Sequence, residues 1–146
     1  EAHYGPVDKN AVLDYQGRFA DLRTVKGWND KNVVVYGNHL FDHWNASALS
    51  IEEFKDQYMR NETALKQLEN STNLFSFTNG KPETCFSERE VKLLHQLGAE
   101  KIFSTSGGMN RPGKEYLLGR MILSPDDKDD DYLWFRLGCA FFSTPK

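Results

Sequence analysis

No run of about 18 apolar residues occurs in this sequence, so no membrane-spanning helix is expected. The opening residues, EAHYGPVDKN, hold neither a basic n-region nor an apolar h-region, which predicts no signal peptide in the chain. Cysteine is scarce. Cys85 and Cys139 are too few for a disulfide framework, and their spacing fits no zinc motif. A single disulfide and two buried thiols both remain open. Positive charge is not in excess either. A net charge of -3 gives no electrostatic footprint for nucleic acid or an anionic membrane surface, so neither is expected as a partner. The Gly-x-Ser-x-Gly elbow of a serine hydrolase is missing. The glycine-rich stretch STSGGMN has neither dinucleotide-binding nor Walker spacing and reads as a loop. The aspartates from Asp126 to Asp131 lack the glycine and the closing glutamate of a calcium loop and read as solvated surface.

What is present is ordinary globular material: 146 residues, 39% hydrophobic and 27% charged. That length favours a single domain, residues 1–146, able to hide roughly two-thirds of its unfolded surface. No repeat, low-complexity tract or linker interrupts it.

Strand and helix signals alternate along the chain. AVLDYQG reads as a strand closed by Gly17, and Phe19, Leu22 and Val25 give a short helix pattern. VVVY is β-branched without alternation, as in a strand buried on both faces, and Gly37 and Asn38 are expected to break it. Ser50 with Glu53 makes a capping box ahead of a helix whose stripe holds Ile51, Phe54, Tyr58, Leu65 and Leu68. NLFSFTNGK reads as strand and turn. Ser87 with Glu90 opens a second capped helix, with Val91, Leu94 and Leu97 inward and Gly98 just past its end. KIFSTS is a further strand. EYLLGRMIL is a strand pair or a strand bulged at Gly119, and YLWFRLGCAFF is a terminal strand or buried helix. This order predicts an α/β fold with a largely parallel sheet.

His39 and His43 follow the VVVY strand, and functional groups collect at the carboxyl ends of strands in such sheets. If residues 39–43 form one helical turn, both imidazoles share a face and reach one ion, with zinc, nickel and cobalt suited to neutral imidazole. Spacing by itself favours two loop histidines bonding to backbone. Asp14, at the end of the first expected strand, is the candidate third ligand. Asp42 is expected to face away. Of the tryptophans, Trp44 is the candidate for a sugar-stacking face, with Trp28 and Trp134 expected in the core. His95 is expected on the surface.

The stretch GNHLFDHWNASALSIEEFKDQYMRNETAL resembles the second motif of the polysaccharide deacetylases, carbohydrate esterase family four, through Gly37, Asn38, His39, His43, Leu49, Ser50 and the helix from Ile51. LFSFTNGKPETCFSEREVKLLHQLGAEKIFSTSGGMNR looks like that family's next block, and YLLGRMIL like the Leu-x-Arg strand after it. The resemblance spans roughly residues 33–125. It implies a distorted or incomplete (β/α) barrel, metal-dependent removal of acetyl groups from a polysaccharide or oligosaccharide, and an extracellular or cell-envelope setting. It makes His39 and His43 metal ligands for a divalent ion, zinc foremost. It places the turn Thr78-Asn79-Gly80 at the substrate groove, where a backbone N–H faces the oxyanion.

Several of the family's elements differ here. No Asp-Asp-Gly occurs, and Asp14 in VLDYQG is the nearest carboxylate, expected both as catalytic carboxylate and as metal ligand. No histidine follows His95, so the late Leu-x-His motif is absent, and SFTNG lacks the arginine that orients the family's base. Two other readings follow. One is a catalytically inactive relative that binds carbohydrate or protein. The other is a secreted glycoprotein domain with incidental histidines and sequons used at Asn45, Asn61 and Asn70.

Overall fold

A computed structural model of the chain describes residues 21–30, 33–106, 110 and 116–120. The stretches AVLDYQG, SPDDKDDD and YLWFRLGCAFF, with Asp14, Trp134 and Cys139, lie outside the described residues.

The elements run α1 (Leu22–Gly27), β1 (Tyr36–Asn38), a 3-10 turn (Ala46–Ala48), α2 (Ile51–Leu65), β2 (Ser71–Ser76), α3 (Glu88–Gln96), β3 (Lys101–Ser104) and β4 (Leu117–Gly119). The four strands form one parallel sheet in the order β1-β2-β3-β4. The fold is therefore mixed α/β, with a four-stranded parallel sheet among the described residues.

Both capping boxes form. Ser50 accepts from the Glu53 amide while Glu53 reaches back to the Ser50 amide. Glu90 takes the Ser87 amide in the same way. Phe54 and Tyr58 from α2, Phe75 from β2, and Val91 and Leu94 from α3 meet in one core, continued by Phe77, Phe86 and Ile102. Phe77 and Phe86 stack at 3.8 Å, and Phe75 meets Phe77 edge-on at 5.0 Å. Such aromatic pairs contribute about 0.5–1.5 kcal/mol beyond their burial. Helix α2 packs on β1 and against α3.

Five sequence expectations change. The VVVY strand starts only at Tyr36, and Val33 and Val35 are exposed. The Asp30 carbonyl takes the Val33 and Val34 amides, making a turn where a ladder was expected. Gly37 and Asn38 do not break the strand but belong to it. A Cβ on Gly37 would stand 2.9 Å from the Leu74 carbonyl oxygen, so glycine lets β1 lie close on β2. Leu68 is buried but lies beyond the end of α2, and Trp28 is exposed although a core position was expected. Gly119 is not bulged; it pairs in register with Ser104.

Candidate functional site

Strand alternation sorts the carboxyl end of β1 onto two faces. Asn38 turns toward α2, where its amide donates to the Tyr58 carbonyl at 3.0 Å and to Glu62 at 3.3 Å. Its neighbours Gly37 and His39 therefore face the other side. There they line a cleft of about 220 Å³ with Leu74, Ser76 and Phe103.

The chain after His39 is not a helical turn, which corrects the route by which the histidines were expected to meet. It is an irregular loop with left-handed backbone at Leu40 (φ 62°) and His43 (φ 57°). Such conformations cost about 1–3 kcal/mol each in residues with a Cβ and persist only where the surroundings impose them. The loop nevertheless brings the rings together, with centroids 5.0 Å apart and planes at 70°. Two imidazoles held at about 2.0–2.1 Å on one tetrahedral ion put their centroids about 5 Å apart. The pair has that spacing.

His39 is half-buried and His43 exposed. His39 Nδ1 lies 2.7 Å from the Ser76 carbonyl oxygen. A carbonyl only accepts, so Nδ1 carries the proton and Nε2 keeps its lone pair. Metal-binding histidines are fixed by the same kind of bond. Burial lowers the His39 pKa, the Ser76 carbonyl raises it, and the charges of His43 and Arg120 lower it again, with a net shift below the ordinary value. The ring is thereby biased toward the neutral form that a metal requires.

Among the described residues, no group of three or more His, Cys, Asp or Glu gathers as a metal cluster. Asp42, between the histidines, is engaged on the α2 side by Gln57 at 2.8 Å and Arg60 at 3.1 Å. A third ligand would have to come from elsewhere, and Asp14 lies outside the described residues.

Trp44 directly follows His43 and is 55% exposed. Its carbonyl accepts the Thr78 hydroxyl at 2.5 Å, which ties the histidine loop to the Thr78-Asn79-Gly80 turn. Gly80 takes φ 74°, and its carbonyl accepts the Thr105 amide at 2.6 Å. His39, His43, Trp44 and Thr78 thus come together, with Asn79 and Gly80 in the same turn.

Arg120, just past β4, is the arginine of the Leu-x-Arg resemblance, and no role was expected of it. Its Nη2 donates to the Phe77 carbonyl at 2.7 Å, beneath the 78–80 turn. Its Nε is buried without a hydrogen-bond partner among the described residues, as is the Ser76 hydroxyl. An unmet buried donor of this kind costs about 1–3 kcal/mol. An available signal was a lone arginine inside the apolar run LLGRMIL.

Two of the sequons sit badly for modification. Asn70 is buried and its amide nitrogen donates to the Trp28 and Val34 carbonyls. The Asn61 amide donates to Asn38 at 3.0 Å. Asn45 caps the 3-10 turn through its side-chain oxygen. Cys85 is a half-buried free thiol, and His95, exposed as expected, stacks on Tyr116 at 5.1 Å.

No family model matches the chain, and neither the curated proteins nor the solved structures yield a match.

Proposed function

We propose that this chain is a metal-dependent hydrolase of the polysaccharide deacetylase type, acting on an acetylated polysaccharide or oligosaccharide in an extracellular or cell-envelope setting. The observation that carries the reading is the His39 Nδ1–H bond to the Ser76 carbonyl, made by a ring 5.0 Å from that of His43. It leaves Nε2 of His39 as a lone-pair donor beside a second imidazole. The sequential parallel strand order, with the helical core on one face and the histidine cleft on the other, supports an arc of a (β/α) barrel whose interior holds the site.

His39 and His43 would hold a divalent ion, with zinc the best match to neutral imidazole. A bound zinc ion brings the pKa of water toward about 7 and polarises an acetyl carbonyl. A carboxylate must take the proton of the attacking water, and Asp14 is the candidate. The Nε–H of Arg120, without a partner among the described residues, is a donor suited to orienting such a carboxylate. The exposed Trp44 ring offers a face for a pyranose, and the Thr78-Asn79-Gly80 turn beside it walls the groove.

The test is metal analysis of the purified chain and of a His39→Ala/His43→Ala variant, together with acetate release from acetylated chito-oligosaccharide and xylan. The expected result is zinc in the native chain only, with acetate released from at least one substrate. Equal zinc in both proteins removes the reading. Zinc without acetate release moves it to an inactive, carbohydrate-binding relative.

A further inference from the structure

We propose that Gln57 of α2 is the positioning residue for the histidine pair. The inference rests on the metal-site reading of His39 and His43 and names what holds that site in shape.

The loop from His39 to Trp44 carries no glycine, yet it takes left-handed backbone at Leu40 and at His43. Leucine does not favour that shape, and histidine only tolerates it better than most residues, so the surroundings have to impose it. Beside the Thr78 bond to the Trp44 carbonyl, which holds the far end of the loop, two anchors act ahead of His43. On one side, Leu40 is buried and its amide donates to the Asn38 side-chain oxygen at 3.1 Å. On the other, the primary amide of Gln57 closes a two-point clasp on the residue just before His43. The Asp42 backbone amide donates to Gln57 Oε1 at 2.8 Å, and Gln57 Nε2 donates to Asp42 Oδ2 at 2.8 Å. Gln57 is only 7% exposed, so water competes poorly for either bond.

Holding both the backbone and the side chain of Asp42 fixes where the chain enters His43. That decides whether the His43 ring meets the His39 ring. The position needs one group that both donates and accepts. A glutamate keeps the acceptor but sets a carboxylate against Asp42, and a leucine fills the same space with neither bond. Arg60 also reaches Asp42, at 3.1 Å, and lies over the Phe41 ring at 4.1 Å. That ion pair is open to solvent on both sides and holds less firmly.

The experiment compares Gln57→Leu, Gln57→Glu and Arg60→Ala with the native chain. Each is titrated with zinc chloride by calorimetry. Each is also examined without metal by NMR for contacts between the ring protons of His39 and His43. Gln57→Leu is expected to weaken zinc binding about 10–100-fold and to abolish the inter-ring contacts well below its melting temperature. Gln57→Glu is expected to shift both readouts the same way by less, and it gives the answer if the leucine variant does not fold. Arg60→Ala is expected to stay within about twofold, as an exposed ion pair should. Native ring contacts and native zinc affinity in both Gln57 variants overturn the proposal, and so does an Arg60→Ala loss as large as that of Gln57→Leu. If the native chain takes up no zinc while the Gln57 variants still separate the rings, the metal reading falls and the positioning role stands.

Discussion

Two glycines show how local packing decides the sign of one substitution. A Cβ at Gly37 would meet the Leu74 carbonyl oxygen at 2.9 Å and the Leu74 Cβ at 3.1 Å, on the neighbouring strand. Neither atom is the end of a flexible side chain. Gly37→Ala is therefore expected to push β1 off β2 and cost about 1–3 kcal/mol, read from urea unfolding. Because His39 is two residues further on and hydrogen-bonded to β2, the same variant should also weaken zinc binding. Gly27, the last residue of α1, has open space where a Cβ would go and no left-handed φ. Gly27→Ala is expected to be neutral or to stabilise by up to about 1 kcal/mol. A destabilised Gly27→Ala beside a tolerated Gly37→Ala would contradict the packing described. At this scale the sequence was partly readable. His39, His43 and Trp44 could be named as candidates from residue type and position, and Thr78 only from the family resemblance. Gln57 could not, and Arg120 stood only within the Leu-x-Arg resemblance, since what a helix glutamine or an arginine after a strand touches is decided by what the fold sets beside it.

Among the elements, the helices were legible and the first strand was not. Helix caps are local: Ser50 with Glu53 and Ser87 with Glu90 act across one turn, so a four-residue stretch of sequence suffices to find each. The extent of β1 depends on partners far along the chain. Val33 and Val34 would extend a ladder by composition, but a carbonyl three or four residues back claims their amides. The cap of α3 also gives a pH dependence. Burial raises the Glu90 pKa, but the Ser87 amide and hydroxyl and the Arg89 guanidinium outweigh it and hold the carboxyl below its ordinary value of 4.5. A lowered pKa means that the unfolded chain binds more protons in acid. The stabilisation is thus present above about pH 4.5 and is lost as the pH falls through the folded value. Glu90→Gln is expected to cost about 1–3 kcal/mol at neutral pH. The gap from the native chain should narrow progressively in acid. Ser50→Ala removes an exposed cap instead, and should cost about 1 kcal/mol; the Ser50 amide and hydroxyl hold Glu53 below 4.5 too, so that cap also weakens in acid. A Glu90→Gln gap that stays constant from pH 7 to pH 3 would show that the charge is not what the cap uses.

For the whole molecule, the alternation of strand and helix signals was enough to read a parallel sheet, because parallel strands need long crossovers and these are usually helices. Closure into a barrel was not readable, since it depends on how many strands join and at what stagger. The site inherits that dependence, for its two histidines sit on the sheet face away from the helical core. A ligand that binds only the folded arrangement stabilises all of it at once. At a hundredfold excess over its dissociation constant, the gain is about 2.7 kcal/mol. For a domain of this size each kcal/mol is worth about 2–4 °C in melting temperature. Zinc at that excess should therefore raise the melting temperature by about 5–10 °C. The rise will be smaller to the extent that the unfolded chain, with its 4 histidines and 2 cysteines, also binds the ion. A chelator should reverse it. His39→Ala should abolish it, because that ring supplies the one lone pair whose tautomer the fold fixes. His95→Ala, on α3 and stacked on Tyr116, should keep it. A shift that survives His39→Ala but vanishes with His95→Ala would place the ion on the opposite side of the sheet.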